Sequence, residues 1–211
     1  MATTLEFQPA APPSEAPASA PIVPGTCRLF NVDEYARLYE AGILKPGERV
    51  ELLGGEVRLM SPMGPGHATL VRRLNAELLR QCGDGAIVSP QCPLQLDAYS
   101  APEPDLVLLR MAPDQYANRH PQASDALLAI EVSDTSITFD RNEKLPRYAA
   151  AGIPEAWLVD LERQQIEQYS QPNQGIYERK EVRKIDDEIR SLGTGSPGIP
   201  AIVLAVKSLF T

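Results

Sequence analysis

Two acidic residues lie inside apolar stretches of the chain, where a charged side chain is costly unless something pairs with it. Asp105 follows Pro104 at the start of PDLVLL, and Glu131 lies near the end of ALLAIEVS. A carboxylate in such a run must be hydrogen-bonded, paired with a cation or bound to a metal. If the two runs are neighbouring strands, both carboxylates could bind one divalent ion. Oxygen ligands of this kind suit Mg²⁺ or Mn²⁺.

A lysine close to these acids would complete a hydrolytic site, and Lys144 follows the second run. A metal-bound water beside an ammonium group could attack a phosphodiester, while the metal and the ammonium stabilise the developing negative charge. Residue types alone leave other interpretations open. A Pro-Asp pair is usually a turn, and it occurs again at Pro113-Asp114. A lysine on an exposed helix is usually a surface charge.

The order of these residues resembles the PD-(D/E)XK nuclease superfamily and, within it, the Uma-two branch of restriction-endonuclease-like proteins. The matching stretches include YARLYEAG, RVELLGGEVRLMSPMGPGHATLVRRLNAELL, APEPDLVLL and LLAIEVSDTSITFDRNEKLPRYAAAGIPEAWLVDL. They run from about residue 30 to the C-terminus. The resemblance implies an α/β fold with a restriction-endonuclease-like core, in which helices flank a mixed β-sheet with added β-hairpins. It also implies a metal-dependent endonuclease that hydrolyses DNA phosphodiester bonds.

The resemblance assigns roles to individual residues. In the superfamily the acid of the Pro-Asp motif and the acid of the next strand bind the metal, which implies Asp105 and Glu131 here. The main-chain carbonyl after the second acid, that of Val132, is implied as a further ligand. The usual lysine position holds Ser133 in this chain. The Uma-two branch resembles this sequence in having the lysine on the next helix, at Lys144.

Other residues have implied or open roles. An acid of the early hairpin, here Glu56, is implied to complete the site directly or through water. His67 follows a Gly-rich turn where the branch also has a histidine, and a site role, capping and packing all remain open for it. Asp140 is expected to cap the helix that carries Lys144. Ser133 is expected to satisfy backbone groups at the strand end.

Hydrophobic spacing and the glycines predict the elements that would position these residues. Gly54-Gly55 predicts a tight hairpin turn. Helices are predicted at about 31–41, 66–81 and 140–151. Strands are predicted at 86–90, 93–97, 104–109, 126–133, 156–161 and 202–206, with a polar hairpin formed by IEQYS and GIYERKEV.

The third predicted helix contains Pro146, two residues after Lys144. Proline inside a helix removes a hydrogen bond and clashes with the preceding turn, but it is tolerated in the first turn. The helix is therefore expected either to begin near Asn142 or Glu143, or to be kinked.

The N-terminal residues differ in composition from the rest. Residues 1–25 are dominated by Ala, Pro, Ser and Thr, which predicts a flexible tail followed by one nuclease domain over residues 26–211. No Lys or Arg precedes Arg28, and no apolar run is long enough to cross a membrane. Three cysteines without C-x-x-C spacing are typical of reduced thiols. We therefore expect a cytoplasmic protein without membrane contact.

The charge of the chain constrains its partners. With 28 acidic and 20 basic side chains the formal charge is -8, so a general basic surface for nucleic acid is absent. If DNA is the partner, a local basic patch must bind it. The candidates are Arg72, Arg73 and Arg80 on one helix and Arg141, Lys144 and Arg147 on another.

Two interpretations from other classes stay open. One is a catalytically inactive nuclease-fold module for binding or assembly, which the acidic charge and Ser133 in the lysine position favour. The other is a hydrolase of small phosphate esters. A homodimer is a further expectation, because many nucleases cut two strands with two subunits and an apolar strand edge could pair with a second copy.

Overall fold

Long apolar runs supply the central strands of this protein, and short helices flank them. The structure, a computed structural model, describes residues 27–192 and 201–211. The predicted tail at residues 1–25 lies outside the described residues. No helix in the described ranges is long and apolar enough to span a bilayer.

The helices are α1 (Val32–Glu40), α2 (Pro65–Cys82), α3 (Ile137–Phe139), α4 (Leu145–Ala150) and α5 (Val206–Phe210). A π-helical turn, Asp140–Lys144, lies between α3 and α4, and 3-10 turns lie at Gly83–Gly85 and Ala123–Asp125. The strands are β1 (Val50–Leu53), β2 (Glu56–Leu59), β3 (Ala86–Pro90), β4 (Leu106–Arg110), β5 (Ala126–Ser133), β6 (Glu155–Asp160), β7 (Gln165–Asn173), β8 (Ile176–Arg183), β9 (Glu188–Arg190) and β10 (Val203–Ala205).

The main sheet is mixed and has six strands in the order β3-β4-β5-β6-β7-β8. Strands β5 and β6 are parallel, with Glu131 paired to Leu158, and the other neighbours in this sheet are antiparallel. All eight residues of β5 are buried. Continuous burial follows when both faces of a strand are covered, and it explains why β5 reads as an unbroken apolar run.

Two hydrophobic cores cover the two faces of this sheet. On one face, Leu74 and Leu78 of α2 pack with Leu106 and Ile130 of the sheet. On the other face, Tyr148 of α4 is buried in a second cluster with Val107 and Leu158. Neighbouring strand residues such as Leu106 and Val107 contribute to opposite cores, as the alternation of side chains along a strand requires. Helices thus flank the sheet, as predicted.

The predicted tight hairpin is present as β1 and β2, which form a separate two-stranded sheet. Gly54 and Gly55 both have positive φ, at 59° and 83°, which a two-residue turn of this hand requires. The Gly55 carbonyl accepts a hydrogen bond from the Phe30 N–H. This bond fixes the hairpin to the segment before α1, where Asn31 and Glu34 form a reciprocal cap.

Two predicted strands differ from the structure. Residues 93–97 form a loop, because Leu94 and Leu96 donate their N–H groups to Pro102 and Ser100 within the same loop and not to a neighbouring strand. Gln95 retains only an isolated bridge to Gln122. The predicted strand at 202–206 is shorter as β10, because Val206 already begins α5.

The third predicted helix begins earlier than expected, at Ile137, and contains the π-turn. The N–H of Leu145 bonds to the carbonyl of Asp140, five residues back. Pro146 lies in the first turn of α4, directly after this wide turn. Its missing N–H is therefore tolerated there.

Candidate active site

The strand register brings the two predicted acids to one place. Leu106 of β4 pairs with Ile130 of antiparallel β5, so one residue further along Asp105 stands opposite Glu131. Directly opposed residues have Cβ atoms about 4.5–5.5 Å apart. Both side chains line a single cavity of about 630 Å³. The sheet itself therefore places these carboxyl groups side by side.

Asp105 is held by hydrogen-bonding groups from three elements. Its Oδ2 accepts the main-chain N–H of Val132 at 2.9 Å. Its Oδ1 lies 2.8 Å from Nε2 of His67, at the start of α2, and 3.3 Å from Nε2 of Gln91, which follows β3. The main chain of Val132 therefore lies beside Asp105. That the Val132 carbonyl binds a metal stays a prediction.

Glu131 is surrounded by donors from the following helical segment. The Tyr148 hydroxyl donates a hydrogen bond to its Oε1. The ammonium of Lys144 lies 3.4 Å from the Glu131 carboxylate and 3.1 Å from Oε2 of Glu51. Lys144 is only 4% exposed. A lysine displaced from the strand onto the helical segment thus reaches the second acid.

The hairpin acid in this cluster is Glu51, whereas the sequence-based expectation was Glu56. Glu51 is buried at 3% exposure in β1, and its Oε2 also accepts the N–H of Glu103. Glu56 has a side chain that is 51% exposed, pairs with Arg58 at 2.6 Å and is not among the described residues that line the cavity. The structure therefore does not bring Glu56 to the other predicted site residues.

A signal for Glu51 is present in the sequence. It lies within the apolar run VELL, and burial of an acid in such a run is the same pattern that marked Glu131. Glu56 instead begins β2, directly after the turn, where the chain is exposed.

The charges in the cluster are strongly coupled. Burial raises the pKa of Glu131 well above its ordinary range; Lys144 opposes this increase, and Asp140 and Asp105 add to it. For Lys144 burial favours the neutral amine, but the carboxylates of Glu131 and Glu51 outweigh it and raise the pKa of the ammonium. The raised pKa favours the ammonium form of Lys144.

Ser133 and Asp140 have different roles from those expected. The Ser133 hydroxyl donates to Oδ2 of Asp140 at 2.6 Å, and the Ser136 hydroxyl donates to the same oxygen at 2.7 Å. Asp140 lies inside the π-turn and is not the residue that caps the helical segment. The hydroxyl in the usual lysine position thus anchors the segment that carries Lys144.

The predicted basic clusters contribute little to the cavity. Of their members, only Lys144 is among the described cavity residues. Three of the other members form ion pairs outside the cavity: Arg80 with Glu77, Arg141 with Glu167 and Arg147 with Glu143. The arginines of the cavity wall are Arg49, which directly precedes β1, and Arg58, which lies in β2.

The donor set fits a hard divalent cation. Glu51, Glu103, Asp105 and Glu131 all line the cavity, with the Lys144 ammonium among them. Carboxylate oxygens are the ligands that Mg²⁺ and Mn²⁺ prefer, and the excess negative charge is what such an ion would balance. Within the described residues, no group of three His, Cys, Asp or Glu side chains is already arranged to hold a metal.

Comparisons with known proteins agree with this fold. A crystal structure of a "putative nuclease belonging to DUF820" from Anabaena variabilis superposes with a TM-score of 0.65 at 16% identity, covering 86% of this chain and 97% of that one. No curated protein matches the chain. The family model Uma2, described as "Putative restriction endonuclease", matches residues 32–206. The chain therefore belongs to the Uma2 (Uma-two) family of restriction-endonuclease-like proteins.

Proposed function

We propose that the protein is a metal-dependent endonuclease that hydrolyses DNA phosphodiester bonds in this cavity. One observation carries the proposal. Asp105, Glu131, Lys144 and Glu51, which come from three separate regions of the chain, converge as buried charges on one cavity. Buried charges are costly and are retained mainly where they serve binding or chemistry.

Asp105 and Glu131 would hold the ion, together with the main-chain carbonyl of Val132. When bound, Mg²⁺ or Mn²⁺ would supply Lewis acidity toward a phosphate oxygen and an acidified water. The hydrogen bonds from His67, Gln91 and the Val132 N–H keep Asp105 oriented. Such prior fixation lowers the reorganisation needed when the substrate reacts.

Lys144 would place positive charge beside the scissile phosphate. As an ammonium, it can donate hydrogen bonds to the attacking water and to the phosphate oxygens. Glu51 gives Lys144 a second carboxylate partner at 3.1 Å, so the ammonium remains in place when Glu131 contacts another group. Glu51 therefore takes the supporting role that was expected of Glu56.

Purified protein with Mg²⁺ or Mn²⁺, plasmid DNA and a short duplex provides the test. We expect Asp105→Asn, Glu131→Gln and Lys144→Met each to lower the cleavage rate by about 10²-fold or more, the scale for loss of one charge-stabilising group. Glu162→Gln, at an exposed acid outside the cavity, is the matched control. Cleavage that survives both Asp105→Asn and Glu131→Gln would refute the mechanism.

A second candidate is a nuclease-fold binding module without catalytic activity. The pairing of Lys144 with both Glu51 and Glu131 favours it, because this arrangement already neutralises part of the site. Metal titration separates the two candidates. An ion at about 100 times its Kd adds about 2.7 kcal/mol to stability. An active site predicts a rise in Tm for the wild type that Asp105→Asn lacks, whereas a binding module predicts equal curves.

We also propose a cytoplasmic homodimer. Free thiols at Cys27, Cys82 and Cys92 fit a reducing compartment. Two subunits would supply two cavities for two DNA strands. Light scattering of the purified protein measures the mass directly, and a monomer at working concentration would contradict the dimer.

A further inference from the structure

The cavity wall carries charges of both signs. The buried acids lie on β1, on β5 and before β4, and two arginines lie near the first of them: Arg49, directly before β1, and Arg58 of β2. Arg58 of β2 pairs in register with Glu51 of β1, so the two side chains share one face of the hairpin. Arg49 directly precedes β1 and lines the same cavity. The hairpin and the residue before it thus present two guanidinium groups beside the carboxylates.

Arg58 lacks one hydrogen-bond partner. Its NH2 group pairs with Glu56, and its guanidinium carbon lies 5.8 Å from the centroid of the Phe139 ring. Its Nε is buried and has no acceptor in the described structure. Buried N–H groups are almost always satisfied, so Arg58 retains unused hydrogen-bonding capacity.

Arg49 also has unused donors. Its NH1 donates to the Ser61 carbonyl at 2.9 Å, and within the described residues Arg49 forms no ion pair. A guanidinium has five N–H groups in a planar fork, which matches two oxygens of a phosphate. The Ser61 bond fixes the side chain and leaves further N–H groups for a ligand.

We propose that Arg49 and Arg58 form a phosphate clamp that binds a backbone phosphate next to the scissile one. This inference rests on the proposed function and specifies its substrate class. A clamp separate from Lys144 recognises a polynucleotide with successive phosphates, whereas a small monoester has a single phosphate. It also gives an acidic chain a local site for DNA, since the two guanidinium groups lie at the cavity wall.

Glu56 acquires a role through Arg58. Its exposed carboxylate competes with a phosphate for the same guanidinium. Glu56→Gln should therefore tighten DNA binding, whereas loss of a metal-supporting acid would lower metal affinity. The direction of this single change separates the two roles.

The binding experiment uses a fluorescently labelled DNA duplex with Ca²⁺ in place of Mg²⁺, so that binding is measured apart from cleavage. The measurement is repeated at a range of salt concentrations. We expect Arg49→Gln and Arg58→Gln each to weaken binding about tenfold and to reduce the salt slope by about 0.9, the value for one lost phosphate contact. Arg58→Lys should keep the slope because it keeps the charge. Arg179→Gln is the matched control, since Arg179 also pairs with an acid two residues away on a strand but lies outside the cavity.

Cleavage kinetics give an independent readout. The clamp variants should raise KM for the duplex more than they lower kcat, because the contact is made equally in ground and transition states. Hydrolysis of a phosphate monoester, where it occurs, should not change. Tm values for each variant show whether the hairpin remains folded.

The outcomes are distinguishable from those for the proposed function. If the wild type binds no DNA, or if the salt slope is the same in Arg49→Gln, Arg58→Gln and the wild type, the clamp is refuted. If DNA binds with the expected slopes but no divalent ion supports cleavage, the clamp stands and the endonuclease proposal falls.

Discussion

Asp105 and Glu131, two of the acids that line the cavity, come from neighbouring strands, yet the protein holds them in different ways. Glu131 is 3% exposed and depends on an ionic partner, Lys144, and on Tyr148. Asp105 is 8% exposed and is held by His67 and by amide donors. Removing one member of a buried ion pair leaves an unpaired charge, whereas removing one of several polar donors leaves the others. The Glu131 half of the site should therefore be the more fragile.

The largest expected effect is that of Lys144→Met. It leaves the buried carboxylates of Glu51 and Glu131 without their cation, so we expect a loss of about 3–5 kcal/mol in the free energy of unfolding. Urea denaturation measures it. Adding Glu51→Gln and Glu131→Gln should recover most of this loss, because the unpaired charges are then gone. A triple variant as unstable as the single one would show that packing, and not charge, dominates.

The pH dependence of Glu131 is the second prediction. Burial, opposed by Lys144, raises the pKa of this carboxyl above its ordinary value of 4.5, so the folded protein binds more protons than the unfolded chain above that pH. The stability that the protonated carboxyl contributes is fully present below pH 4.5, and it is lost as the pH rises through the raised pKa of the folded state. Glu131→Gln cannot titrate, so the wild type should lose stability relative to it as the pH rises above 4.5. Parallel stability curves would contradict this.

Tyr148→Phe should cost less. The substitution keeps the buried ring and removes the hydroxyl that donates to Glu131. Loss of a hydrogen bond to a charged group costs about 1.5–3 kcal/mol. Chemical denaturation at neutral pH measures the loss. An unchanged stability would mean that Lys144 alone holds the carboxylate.

His67→Gln sharpens the comparison from the Asp105 side and has the smallest expected effect. Gln91 and the Val132 N–H still donate to Asp105, so we expect a loss of only about 1 kcal/mol. The same denaturation assay applies. A loss equal to that of Lys144→Met would remove the distinction between the two halves.

The sequence predicted much of the site for a physical reason. Asp105 and Glu131 interrupt apolar strands, and burial of a charge in such a run needs a partner. The sequence allowed the two acids to converge if their strands were neighbours, and the register of β4 and β5 in the structure brings them together. Glu51 was missed because the hairpin offered two acids, and the exposed one was selected. The contact with Lys144 distinguishes Glu51 from Glu56, and Lys144 lies 93 residues after Glu51 in the chain.

The helical segment at residues 137–150 has a backbone irregularity whose form the local sequence did not predict. Pro146 indicated an irregularity, and the irregularity is a π-turn just before it. Whether a chain answers a proline by starting a helix, bending it or widening a turn depends on tertiary contacts. Here Ser133 and Ser136 bind Asp140 inside that turn, and these contacts are not visible in hydrophobic periodicity.

The route by which Lys144 reaches the acids has a mechanical consequence. Glu131 lies in β5 and Asp105 directly precedes its neighbour β4, but the Lys144 ammonium is carried by the crossover between β5 and β6, which side-chain contacts hold in place. Local opening of that crossover would withdraw the cation while the sheet stays intact. Turnover should then cease at a lower urea concentration than the one at which the circular dichroism of the sheet changes.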